Sequence, residues 1–210
     1  MNINDPETPP GAFRLPVLFA RSASLMVWTI SITLGVAVFF QLQSFTGLFD
    51  RSPEIWLAVG VVGVVVGTIT GVVVMLLQLL VPIHRVIRTK RWALGTLGAW
   101  SLAGAVYEIL YWLPEPSDVS LRLLVIGIGI GLAFGLVQWL AARRYAARAQ
   151  WLLISNVLGW SVGYTVAMLL FLGDRGAPLG LIPSIVILGV IPSLITGITL
   201  ILLPARTGTT

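Results

Sequence analysis

The stretch VGVVGVVVGTITGVVVMLLQLLV, Val59 to Val81, decides the kind of protein this is. It sits inside a longer run, Ile55 to Ile83, that holds no Asp, Glu, Lys or Arg. A helix needs about 20 apolar residues to cross the hydrocarbon core of a bilayer. A barrel strand would alternate apolar and polar residues over about 10 positions, and this stretch does not alternate. Its many valines lower helix propensity in water, but in lipid the backbone must bond within its own segment. The stretch therefore reads as a transmembrane helix, with Pro82 suited to its end.

Five further stretches read the same way. They run from about Ser22 to Phe45, Trp92 to Leu113, Leu123 to Ala142 and Ala149 to Gly173, with a last one inside the uncharged stretch Gly176 to Ala205. The expected fold class is an all-α polytopic membrane protein of six transmembrane helices. Composition agrees. Of the 210 residues 57% are hydrophobic and 10% charged, against about 25% charged in soluble domains. Mean hydropathy is +0.98. Too few charges remain to cover a soluble surface.

The net charge of +5 points to topology rather than to nucleic acid. Ten of the thirteen Lys/Arg fall on one side: Arg14, Arg21, Arg85, Arg88, Lys90, Arg91, Arg143, Arg144, Arg148 and Arg206. The opposite loops hold Arg51, Arg122 and Arg175 beside Asp50, Glu54, Glu115, Asp118 and Asp174. The positive-inside bias then puts both termini in the cytoplasm of a bacterial inner (plasma) membrane. Trp92, Trp139 and Trp151 fall near the inner interface, and Trp56 and Trp112 near the outer one. Residues 1–21 read as a cytoplasmic arm without the basic start of a signal peptide. Residues 22–205 form the membrane domain and 206–210 a short tail.

The spans also alternate in kind. The even ones carry small residues four apart: Gly63, Gly67 and Gly71, then Gly127, Gly131 and Gly135, then Gly189, Ser193 and Gly197. Such a stripe lets helix backbones touch, a glycine-zipper pattern. The odd ones carry Trp28-Thr29, Trp100-Ser101 and Trp160-Ser161. Adding 60 maps Gly67, Gly71, Gln78, Arg88, Trp100 and Ser101 onto Gly127, Gly131, Gln138, Arg148, Trp160 and Ser161. The chain thus reads as an internal repeat of three parallel helical hairpins, about 22–83, 92–142 and 149–205. The expectation is that even helices cluster centrally, with the Trp-bearing helices outside them.

Chemistry-bearing residues are few. Glu108 is the one ionisable side chain inside a span, and an intramembrane acid is costly enough to suggest function. Gly104, Glu108 and Tyr111 share a helix face and would make a small cation or proton-coupled site. Alternatively Glu108 reaches the outer headgroups, or bonds a tyrosine or a Gln of the first span. Gln78, Gln138 and Asn156 are ligand candidates, although buried amides more often join helices. Arg85, Arg88, Lys90, Arg91, Arg143, Arg144 and Arg148 are candidates for anionic-lipid contact. There is no cysteine and one histidine, His84, so no metal site is expected. No span holds His or Lys to activate a serine, and no second acid lies in the membrane, so an enzyme is not expected. Gly127-Ile-Gly129-Ile-Gly131 imitates a nucleotide fingerprint but follows no strand.

The segment GLVQWLAARRYAARAQWLLISNVLGWSVGY, Gly135 to Tyr164, resembles a repeat found in uncharacterised bacterial multipass proteins. Gly135, Gln138, Trp139, Leu140, Arg143, Trp151, Gly159, Trp160 and Gly163 carry the resemblance. In the first copy Leu79 and Pro82 replace Trp and Ala. The resemblance implies a fold and no activity. Three parallel hairpins are also similar to the mitochondrial carrier layout, but the acidic-basic gate motif of those carriers is missing. The functional expectation is a non-enzymatic accessory or scaffold subunit, in contact with lipids and other membrane-protein subunits and not with nucleic acid. Alternatives are a small transporter or channel using Glu108, and a pigment- or quinone-binding subunit. Bound lipid is expected, with a pigment or quinone only under the last alternative.

Overall fold

A computed structural model describes residues 15–46, 56–79, 89–112, 119–173 and 181–203. Six helices follow in order: α1 (Leu15–Thr46), α2 (Trp56–Gln78), α3 (Lys90–Trp112), α4 (Val119–Ala142), α5 (Trp151–Gly173) and α6 (Leu181–Leu202). All six are long and apolar enough to cross a membrane.

Several boundaries differ from expectation by a few residues, α3 beginning at Lys90 rather than Trp92 and α4 at Val119 rather than Leu123, and three further differences have a local reason. Helix α1 begins at Leu15, so part of the arm assigned to residues 1–21 is helical, ahead of the apolar span Arg21–Gln43. Pro16 stands in its first turn, where a missing amide hydrogen costs nothing. Helix α2 stops at Gln78 rather than near Pro82. A proline ring collides with the carbonyl four residues earlier and disfavours helix at the residue before it, which ends α2 a turn upstream. Helix α5 begins at Trp151 instead of Ala149, because Arg148 has φ 58° and breaks helical geometry.

The helices form a closed ring. Each packs against its sequence neighbours, and α6 closes against α1. The expected central cluster of even helices is not formed: among the described residues, α2, α4 and α6 make no backbone contact with one another. Their glycine stripes face sideways. A Cβ on Gly67 would lie 2.1 Å from the Trp100 carbonyl oxygen, and one on Gly63 2.4 Å from that of Gly104. On α4, Gly127 abuts Ser161, Gly131 abuts Val157 and Gly135 abuts Leu153 of α5. On α6, Gly189 abuts Thr33, and Gly197 abuts Leu25 and Trp28 of α1. Each even helix therefore lays its small-residue stripe on one odd helix: α2 on α3, α4 on α5, α6 on α1. In all three seams the helices run antiparallel.

The centre belongs to aromatic side chains, most of them from the odd helices. Trp28, Trp100 and Trp160 are all buried. A glycine stripe brings backbones close but presents no bulk, so it cannot fill a space between six helices. Indole and phenyl rings can. The expectation that the Trp-bearing helices lie outside is thus reversed in terms of what occupies the interior.

Candidate functional site

The interior has two aromatic layers. In the first, at mid-span, Phe134 of α4 stacks on Trp160 of α5, with centroids 4.9 Å apart and planes at 9°. Trp100 of α3 meets both edge-on, at 5.0 Å from Phe134 and 6.2 Å from Trp160. In the second layer Phe39 of α1 lies 5.4 Å from Tyr107 of α3, which lies 6.3 Å from Tyr164 of α5. Edge-to-face pairs of this kind place a positive ring edge on a negative face. The free space left between Val36, Phe39, Trp100, Ile130, Trp160 and Leu188 is about 20 Å³, room for a single water. Tyr107, Tyr164, Phe39 and Phe134 were not singled out by sequence. Their only mark was aromatic character, which in a membrane chain also signals an interface position.

Glu108 is buried, at 4% exposure. It stands in the α2/α3 seam, where a Cβ on Gly63 would come 2.8 Å from its Cγ. Gly104 and Glu108 face α2, whereas the Tyr111 ring stacks on Tyr107 and is half-exposed. Arg122 of α4 lies over the Tyr111 ring at 5.3 Å and donates to the Tyr111 carbonyl. This arginine pins the end of α3 to α4.

The three amides are engaged between helices. The Gln78 Oε1 accepts from Trp92 Nε1 and from Thr96 Oγ1, both at 3.1 Å. Gln138 Oε1 accepts from Asn156 Nδ2 at 2.9 Å. Asn156 Nδ2 also donates to the Leu152 carbonyl at 2.7 Å. All are buried. The two bonds occupy matching places sixty residues apart, 78 with 96 and 138 with 156. They close α2 on α3 and α4 on α5 near the end where the basic loops lie. Both act as clamps.

A further interlock explains part of the Gly159-Trp160-x-x-Gly163 pattern. Pro192 of α6 is fully buried, and its ring and backbone fill the hollow left by those two glycines. A Cβ on Gly159 would lie 2.9 Å from Pro192 Cα, and one on Gly163 2.9 Å from its Cδ. Trp160 itself points to the centre. Pro192 was not singled out by sequence, because proline inside an apolar span carries no mark of what it packs against.

Of the basic candidates, Arg85 and Arg88 lie outside the described residues. Lys90 and Arg91 are exposed at the start of α3. Arg143, Arg144 and Arg148 are exposed on the turn between α4 and α5 and surround an open concavity of about 430 Å³. Sequence reasoning found these arginines as charges, but the concavity depends on how residues 143–150 coil and was not visible in it.

No family model matches the chain, and neither a curated protein nor a solved structure is detectably similar to it.

Proposed function

We propose that the protein is a non-enzymatic accessory or scaffold subunit of a larger membrane complex, with both termini in the cytoplasm of a bacterial inner membrane. In this proposal the chain is three parallel hairpin repeats whose tight seams are offset by one helix from the hairpins themselves. One observation carries it. At mid-height of the α2/α3 seam the hydroxyls of Thr68 and Ser101 lie 2.7 Å apart on the outer, exposed surface. Each also bonds its own helix, Thr68 to the Val64 carbonyl at 2.7 Å and Ser101 to the Leu97 carbonyl at 2.8 Å. Hydroxyls and small residues at mid-bilayer are the usual means by which one membrane helix grips another. Around them Val61, Val64, Val65 and Ile69 give a low, stiff apolar face. Inside the ring, Gln78, Gln138 and Asn156 are held in hydrogen bonds between helices.

The test is extraction in gentle detergent followed by mass spectrometry of what co-purifies. Another membrane-protein subunit should come along, and Thr68→Leu should release it while costing the chain itself no more than the roughly 1 kcal/mol of one membrane hydrogen bond. A monomer with nothing attached would end the proposal.

A second function, a small transporter with Glu108 as coupling site, is favoured by the burial of that carboxylate in a span. Glu108→Gln should then abolish flux in reconstituted vesicles, and unchanged flux counts against it. A pigment or quinone role would need the aromatic centre to open well beyond its 20 Å³, and an absorbance spectrum of the purified protein checks for the pigment.

A further inference from the structure

The connection between α4 and α5 is a compact coil of turns. The Arg143 amide donates to the Trp139 carbonyl at 2.8 Å, and the Tyr145 and Ala146 amides both donate to the Ala142 carbonyl, at 2.8 and 2.9 Å. Ala146 and Ala149 are buried beneath it. With Ala147 they make a floor of small side chains, and that is why a concavity of about 430 Å³ remains open. Its rim is Arg143, Arg144, Arg148, Gln150 and Trp139. We propose that this concavity is a binding site for a phosphate group, and specifically for the phosphate of an anionic phospholipid headgroup, held by Arg143, Arg144 and Arg148.

Four observations converge on it. Arg143, Arg144 and Arg148 all line the concavity, and the sequence from Val119 to Gly173 contains no Asp or Glu. Guanidinium is the side chain whose planar fork matches phosphate oxygens two at a time. Arg148 is held at φ 58°, in the left-handed region that L side chains adopt only at a cost. Local sterics would assign that position to glycine, yet a guanidinium is set there on the rim. The turn also lies at headgroup level. Trp139 and Trp151 bracket it, as interfacial tryptophans do, and the Arg143 guanidinium stands 5.9 Å from the Trp139 ring. Finally, the helices leading away from the turn expose Leu136 and Leu140 on α4 and Ile154 and Leu158 on α5. Acyl chains need such a surface and a free phosphate does not, so the lipid is the favoured source of the phosphate.

The experiment is native mass spectrometry of the full chain in mild detergent, titrated with phosphatidylglycerol, phosphatidylcholine or inorganic phosphate. Phosphatidylglycerol should be retained more than about tenfold better than phosphatidylcholine, and Arg144→Gln should lower its retention by about fivefold. Arg148→Gly should lower it similarly while leaving the melting temperature unchanged or raised, because glycine relieves the backbone at φ 58°. Arg21→Gln, an exposed charge on α1, should change nothing. Equal retention of the two lipids would overturn the proposal. So would full retention by a folded Arg148→Gly chain, or displacement of the lipid by inorganic phosphate at matching concentration.

Discussion

The seam between α2 and α3 predicts opposite effects for two glycine-to-alanine changes of identical chemistry. A Cβ at Gly67 would sit 2.1 Å from the Trp100 carbonyl oxygen, 2.8 Å from its carbonyl carbon and 3.0 Å from Ser101 Cα. All three are backbone atoms, so no rotamer change relieves the clash. Ordinary contact needs about 3.5 Å, so the helices must part by roughly 1.4 Å. Parting them also loosens the Gly63–Gly104 contact and stretches the Thr68–Ser101 bond on the same seam. Overpacking of this kind costs about 1–3 kcal/mol, while alanine returns up to about 1 kcal/mol of helix propensity. Gly67→Ala should therefore destabilise by up to about 2 kcal/mol. Gly98 lies on α3, where a Cβ would meet only Val137 Cγ1 at 4.0 Å. Gly98→Ala should be neutral or stabilising by up to about 1 kcal/mol. The α4/α5 seam is slightly looser, with Gly127 at 2.7 Å from Ser161 Cα, so Gly127→Ala should fall between the two. Unfolding in graded denaturing detergent, followed by circular dichroism, gives the three values. Equal effects at Gly67 and Gly98, or a stabilised Gly67→Ala chain, would refute the seam.

Three further expectations follow from other contacts. A double-mutant cycle on Gln138→Ala and Asn156→Ala should give a coupling of about 0.6 kcal/mol, with about 1.7 as the upper end for membrane hydrogen bonds; additive effects would mean the amides do not clamp α4 to α5. The chain contains no cysteine, so paired cysteines can be introduced cleanly. Cysteine pairs placed on the facing sides of α1 and α6, away from the tight Gly189 and Gly197 contacts, should cross-link the two helices on mild oxidation, whereas cysteines placed on α2 and α4 should not; the reverse outcome contradicts the ring. Trp160→Ala removes a ring stacked on Phe134 and edge-on to Trp100, and should cost about 3–5 kcal/mol. A loss below about 1 kcal/mol in the same unfolding assay would place that ring outside the packed centre.

How far the fold was legible depends on which property of a residue decided its place. Apolar length is additive along the chain, so all six spans were visible. Their ends were less so, since Pro82 acts a turn upstream and the left-handed Arg148 leaves no compositional trace. Glycine spacing showed that close contacts exist but not their direction. A stripe is compatible with any partner helix, and the central cluster was the wrong choice among equals. Gln78 with Thr96 and Gln138 with Asn156 show the middle case. The sixty-residue correspondence of the glutamines was apparent, and both glutamines bond across to a neighbouring helix. Their partners Trp92 and Thr96 differ from Leu152 and Asn156 at the same places, which hid the second half of each clamp. Glu108 was found by charge alone, but its place against Gly63 in the α2/α3 seam depends on which side of α3 faces α2.

The α6/α1 seam is the one tight pairing in the ring whose two helices are not consecutive, and this sets an order of assembly. During synthesis α1 enters the bilayer before α2 to α5, but the stripe that covers it belongs to α6, made after all of them. At typical elongation rates the wait is on the order of ten to thirty seconds. Throughout that interval the α1 surface that later meets Gly189 and Gly197, with Ser24 and Ser31 close by, faces lipid or the insertion machinery. The other two seams join neighbouring helices and can zip as soon as both are inserted. A circularly permuted chain, starting at α2 and carrying α1 behind α6, would turn all three seams into local hairpins. It should mature faster in the membrane than the natural order allows, and the difference between the two would time the closing of the ring.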